Sequence, residues 1–196
     1  IPTAGLAPGT DVALCVDVAS SHFYRDGRSH LAREGTGLES AGMIEHLAWW
    51  LEKYPIVSVE DGLAEEDWNN WPALREAIGS KSLVVGDDLL CTKTQRIRKA
   101  IEMGAANALL LKVNQIGTLT EAAEACRTAR QAGWKVTVSA RSGETEDHWL
   151  ADLAVGWGGD QIKVGSITQS ERLAKYNRLL EIEAREGFPV VGWPGR

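Results

Sequence analysis

The chain has 196 residues, 44 % hydrophobic and 24 % charged, which suits a single globular domain over 1–196 with a sizeable core. A formal net charge of −6, with no basic run and no aromatic–basic interleaving, argues against a nucleic-acid surface. No signal peptide and no apolar run long enough to span a bilayer are present, so a cytoplasmic protein with no membrane partner is expected. Cys15, Cys91 and Cys126 are widely spaced and follow no metal-binding spacing, so they read as reduced, mostly buried thiols. The eight tryptophans read mainly as packing residues. The first residue is Ile1, not Met, and a turn-rich lead-in follows to Thr10, as expected of a piece of a longer chain.

In chain order, Val12 to Asp17 is a short apolar strand ending in an acid. A polar, Gly-containing excursion runs from Ser20 to Gly37. Ser40 then caps a helix with Met43, Ile44, Leu47 and Leu51 on its apolar face, ending near Tyr54-Pro55. Ile56 to Asp61 is a second strand ending in acid; Trp68 to Ile78 is helical, with Gly79 as a stop. Ser82 to Asp88 is a third such strand, followed by a helix from Thr94 to Met103 closed by Gly104. Ala108 to Leu111 is apolar throughout, the pattern of a strand covered on both faces, and Lys112 closes it. Thr118 or Thr120 caps the next helix, which runs to Ala132-Gly133. Lys135 to Ser139 is a fifth strand, Thr145 to Val155 a helix, Gln161 to Gly165 a sixth strand, and Ser170 to Arg185 a last helix.

Strands that alternate with helices through short loops require parallel crossovers, so the fold class is α/β. A doubly wound sheet and a barrel both fit. The barrel is favoured because polar residues end nearly every strand, and those ends converge on one mouth only if the sheet closes. A full barrel needs eight strands; six are present, so an incomplete barrel is expected.

Asp17, Glu60 and Asp87 end three successive strands. Three carboxylates meeting in one space need a counter-charge, and hard oxygen ligands are what Mg²⁺ takes. Asp61 and Asp88 follow directly as supporting or capping groups. Lys112 and Lys163 end two further strands. Facing the metal and each other, both are expected to have lowered pKa values, as a lysine base at neutral pH requires. Lysine alone is too weak to deprotonate carbon beside a carboxylate, so the cation must carry the developing charge. Arg141-Ser142-Gly143, after the fifth strand, offers a guanidinium, a hydroxyl and backbone amides to a phosphate.

Several stretches are long and specific: Ser58-Val59-Glu60-Asp61-Gly62-Leu63-Ala64-Glu65-Glu66-Asp67-Trp68, Val85-Gly86-Asp87-Asp88-Leu89, Leu109-Leu110-Leu111-Lys112-Val113-Asn114-Gln115-Ile116-Gly117-Thr118, Ser142-Gly143-Glu144-Thr145-Glu146-Asp147 and Ser170-Glu171-Arg172-Leu173-Ala174-Lys175-Tyr176-Asn177. With Val16-Asp17-Val18-Ala19-Ser20-Ser21, they resemble the catalytic barrel of enolase from about Asp11 to Glu183.

The resemblance implies a Mg²⁺-dependent lyase that converts 2-phosphoglycerate to phosphoenolpyruvate in glycolysis. Asp17, Glu60 and Asp87 match its metal ligands, and Lys112 the base that takes the C2 proton. Lys163 matches a lysine beside the substrate, and Arg141 and Ser142 match phosphate contacts. It implies a barrel of which these are the last six βα units. The N-terminal capping domain, the first barrel strands, the loop that closes over a second metal and the glutamates that help the C3 hydroxyl leave are then absent. A homo-oligomer is implied for the full-length protein.

One departure bears on chemistry: the family has His before Arg-Ser-Gly-Glu-Thr-Glu-Asp, and here that residue is Ala140. The family's histidine lies beside the leaving group and the phosphate. As a natural residue, Ala140 implies an enolase-like enzyme with altered chemistry, such as carboxyphosphonoenolpyruvate synthase of phosphonate biosynthesis; a non-catalytic enolase-like binding protein is the remaining alternative. His22 is a second departure, where many enolases carry Glu.

Overall fold

The structure, a computed structural model, describes residues 1–33, 35–190 and 192. Its main sheet has six parallel strands: β1 (Leu14–Asp17), β5 (Ile56–Glu60), β6 (Leu83–Gly86), β7 (Ala108–Leu111), β8 (Lys135–Ser139) and β9 (Gln161–Lys163), each paired to the next. The numbers β2 (Tyr24–Arg25), β3 (Arg28–Leu31) and β4 (Thr36–Leu38) belong to a separate antiparallel sheet. Helices α1 (Ser40–Lys53), α2 (Trp71–Ile78), α3 (Thr94–Met103), α4 (Val113–Ile116), α5 (Leu119–Gln131), α6 (Trp149–Gly156) and α7 (Ser170–Glu186) fill the connections.

Strand order follows chain order without reversal, which is barrel topology and not the doubly wound alternative. Curvature follows from one contact. Six flat strands would place β1 and β9 about 24 Å apart, yet Lys163 Nζ on β9 lies 3.1 Å from Asp17 Oδ2 on β1. The sheet is therefore a curled, incomplete barrel, with β1 and β9 as its edges.

Alternation along the strands separates two interiors. Val59, Val84, Leu109, Val136 and Val138 pack outward with Met43, Leu47, Leu74, Ile97, Ala125 and Leu150 of the helices. On the concave face, Leu83, Val85, Ala108 and Leu110 form a smaller apolar plug. Above it, the same face carries Ser58, Glu60, Thr137, Gln161 and Lys163 around a cavity of about 470 Å³. The near-continuous apolar run of β7 is explained by burial on both sides.

Several local expectations need correction. The excursion after β1 is the three-stranded sheet β2–β4, braced by an Arg28–Glu39 ion pair of 2.6 Å. Ser40 does not cap α1; its hydroxyl donates to Asp67 Oδ2 at 2.5 Å, and Glu39 holds the cap position. α2 starts at Trp71, not Trp68. α6 starts at Trp149, not Thr145, because the Thr145 hydroxyl donates to the Asp147 carboxylate and the Thr145 carbonyl is taken by Lys175. Thr118, not Thr120, caps α5: its hydroxyl accepts the Glu121 N–H at 3.2 Å and donates to Glu121 Oε2 at 2.6 Å. Of the cysteines only Cys126 is buried; Cys91 is half-buried, and Cys15 is exposed on the edge strand β1. Trp68, Trp71 and Trp134 are core residues, Trp49 and Trp149 are exposed, and Trp193 lies outside the described residues. No helix among the described residues is long and apolar enough to cross a membrane.

Candidate active site

Parallel register brings the acids together. Asp17 of β1 stands opposite Glu60 of β5, and Glu60 opposite Val85 of β6, two residues before Asp87. The Glu60 carboxyl feels both other acids; its pKa is raised to about 7, by burial first of all, with Lys163 opposing and Asp17 and Asp87 reinforcing the shift. Lys163 Nζ donates to both Glu60 oxygens, at 2.7 and 2.9 Å, and to Asp17 Oδ2 at 3.1 Å. Lys112, one residue past β7, donates to Asp87 Oδ2 at 2.5 Å. Five groups from β1, β5, β9 and the ends of β6 and β7 thus share one rim.

The expectation of a lowered Lys163 pKa is corrected. Burial pushes it down, but the hydrogen bonds and charges of Glu60 and Asp17 outweigh burial, and its pKa lies above the usual lysine value.

Asp61 and Asp88 occupy different places from the trio. Asp61, at φ 44, turns its carboxylate across the ends of two strands and accepts the N–H groups of Asp87 at 2.9 Å and Asp88 at 2.8 Å. Burial raises its pKa to about 7 despite those two bonds. Oxygens of Asp61, Asp87 and Asp88 lie within 4.8 Å of one another, a grouping able to hold a metal. Asp61 is already committed to two backbone donors, whereas Asp87 Oδ1 is buried with no hydrogen-bond partner among the described residues. An unsatisfied buried carboxylate oxygen among hard oxygen donors fits a divalent cation such as Mg²⁺.

Beyond β8, Ala140 is buried and its N–H donates to the Lys163 carbonyl at 2.9 Å. Arg141 and Ser142 expose their side chains while their carbonyls are gripped from behind. Arg172 of α7, itself buried, donates to the carbonyls of Arg141 at 2.8 Å, Ser142 at 3.0 Å and Val164 at 3.1 Å. Lys175, fully buried one turn on, donates to the Thr145 carbonyl at 2.6 Å and lies 3.2 Å from Glu144 Oε2. Neither cation has a role that residue order alone assigns. The available signals are the specific stretch Ser170 to Asn177 that contains both and their spacing, two long basic side chains three residues apart on the helix that follows the last rim loop. His22 lies in a short 3₁₀ turn after β1.

A larger cavity, about 780 Å³, lies between α6, β9 and α7 among Leu179, Leu180, Ile182 and Phe188. It is mainly apolar and none of the convergent carboxylates and lysines lines it, although it shares Gln161 and Ile162 with the smaller cavity, so the smaller cavity is the candidate site.

The family model described as "Enolase, C-terminal TIM barrel domain" matches residues 1–191. With six parallel strands in barrel order and carboxylates and lysines at their C-terminal ends, the chain belongs to the enolase family, as its C-terminal TIM barrel domain.

Proposed function

We propose that this protein is a Mg²⁺-dependent lyase that removes water from 2-phosphoglycerate to give phosphoenolpyruvate. The observation that carries the reading is the meeting of Asp17, Glu60, Asp87, Lys112 and Lys163 on one rim, with one buried Asp87 oxygen left unsatisfied. Asp17, Glu60 and Asp87 would hold the cation. When bound, it supplies positive charge that weakens the hold of Asp87 on the Lys112 proton and offsets the charge developing on the substrate carboxylate.

Lys112, as the free amine, takes the C2 proton; the electron pair left on carbon forms the C2–C3 double bond as the C3 hydroxyl departs as hydroxide and takes a proton from solvent to become water, and Lys112 then returns its proton to solvent. Lys163 stays an ammonium, consistent with its raised pKa, and orients the carboxylate end. Arg141 and the Ser142 hydroxyl face the phosphate, on a loop whose backbone Arg172 holds in place. The test is the protein with 2-phosphoglycerate and Mg²⁺, followed by ultraviolet absorbance: formation of phosphoenolpyruvate supports the reading, and its complete absence refutes it.

Ala140 favours a second reading, in which proton abstraction is kept and the later steps differ, as in carboxyphosphonoenolpyruvate synthase. Ala140, whose backbone N–H donates to the Lys163 carbonyl at the start of the phosphate loop, carries only a methyl, which can neither donate a proton nor stabilise a leaving hydroxyl. Turnover that requires a phosphonoformyl donor, with none from 2-phosphoglycerate alone, selects this second reading.

A further inference from the structure

Among the described residues, four of the five non-glycine residues with positive φ sit in loops that follow the acid-bearing strands: Ala19, Asp61, Cys91 and Thr92. Left-handed backbone is unfavourable for any residue with a Cβ, and most so for a β-branched one, so Thr92 at φ 56, directly after Cys91 at φ 49, is the outlier. Strain of this kind persists where surrounding contacts hold it, and it concentrates at functional sites. Here the contacts are specific. The N–H groups of Leu90 and Cys91 both close on the Asp87 carbonyl, at 3.0 and 2.7 Å, forming a tight turn directly after the acid. Gly86 permits this turn, since a Cβ there would lie 2.5 Å from Leu90 Cγ.

The turn delivers the Thr92 side chain, fully buried, to the end of the neighbouring strand. Its hydroxyl accepts the Lys112 backbone N–H at 3.0 Å and donates to Gln115 Oε1 at 3.2 Å, while the Lys112 carbonyl receives the Gln115 N–H at 3.1 Å. β7 ends at Leu111, so at Lys112 the strand gives way to α4. One strained turn therefore sets both partners of the Lys112–Asp87 pair, Asp87 by carrying it and Lys112 by fixing its backbone.

We propose that Thr92 is the positioning residue for Lys112: its hydroxyl, presented by a left-handed turn, sets the backbone from which the base reaches C2. The proposal rests on the reading of Lys112 as the base. Gln115 orients the hydroxyl so that its lone pair faces the Lys112 N–H.

The test compares Thr92→Val, which keeps the shape and loses the hydroxyl, with Thr92→Ser, which keeps the hydroxyl. Amide hydrogen exchange at Lys112 is read by NMR, and exchange of the C2 hydrogen of 2-phosphoglycerate is read in D₂O with Mg²⁺. T92V is expected to lose protection at the Lys112 amide by at least about tenfold and to slow C2 exchange at saturation by about 10- to 100-fold, with KM changed less than twofold. T92S returns both readouts toward the parent protein. If T92V does not fold, Thr92→Gly, which relieves the left-handed strain and also lacks the hydroxyl, takes its place with the same expectation. Unchanged amide protection overturns the proposal, and so does lost protection with unchanged C2 exchange. No C2 exchange in the parent protein refutes the base reading instead; equal amide protection in T92V and the parent would then overturn the placement of Thr92 on its own.

Discussion

Lys163, on the last strand of the sheet, bonds simultaneously to Asp17 on the first strand and Glu60 on the second, at 3.1 and 2.7 Å. This contact spans the mouth of an incomplete barrel and compensates two carboxylates whose third neighbour, Asp87, is paired with Lys112. Replacing Lys163 with Met leaves Glu60 buried beside two acids. Stability is expected to fall by about 1–2 kcal/mol in urea unfolding, because Lys163 is partly solvent-exposed. Turnover is expected to fall by about 100-fold or more. An unchanged urea midpoint would show that the bridge does not hold the rim together.

The pH dependence of stability should run opposite to ordinary acid unfolding over part of the range. Glu60 and Asp61 have pKa values raised to about 7, by burial first, against 4.5 and 3.8 for the free groups. Between those limits the folded state binds more protons than the unfolded one. The stabilisation they give is thus fully present at low pH and is lost as pH rises toward about 7. Urea unfolding in EDTA at pH 5, 6 and 7 should show that decline, and Asp61→Asn should flatten it. A rise in stability across the same interval in the parent protein would contradict the assignment.

Lys175→Met tests the support of the phosphate loop. Lys175 and the Glu144 carboxylate are both nearly inaccessible, so removing one partner strands a buried charge. A loss of about 3–5 kcal/mol is expected by urea unfolding. Adding Glu144→Gln should recover part of it, because the orphaned charge is then gone. A double variant no more stable than the single one would mean that Lys175 acts chiefly through the Thr145 carbonyl.

Ala140→His restores a proton donor at the rim. Activity with 2-phosphoglycerate should rise by roughly 10²–10³-fold, measured as phosphoenolpyruvate absorbance. No increase would assign the residue to the altered chemistry of the second reading.

Much of this arrangement is legible from residue order. Asp17, Glu60 and Asp87 each close an apolar run, and period and capping place α3 at Thr94–Met103 as expected. Three features resist such reading, each for a physical reason. The strands β2–β4 are two to four residues long, too short for alternation to show. Arg172 and Lys175 lie on a helix rich in charge, where a buried cation cannot be told from a solvated one until the loop it grips is in place. The raised pKa of Lys163 depends on oxygens 103 and 146 residues away in sequence, so the sign of the shift is a property of the fold.

Hydrogen exchange at C2 isolates the central claim, because it reports proton abstraction whether or not the hydroxyl leaves. In D₂O with Mg²⁺, 2-phosphoglycerate should lose its C2 proton signal in the NMR spectrum with the parent protein. Lys112→Met should abolish that exchange, while Mg²⁺ binding by calorimetry is retained. Exchange by Lys112→Met at the parent rate would contradict the account.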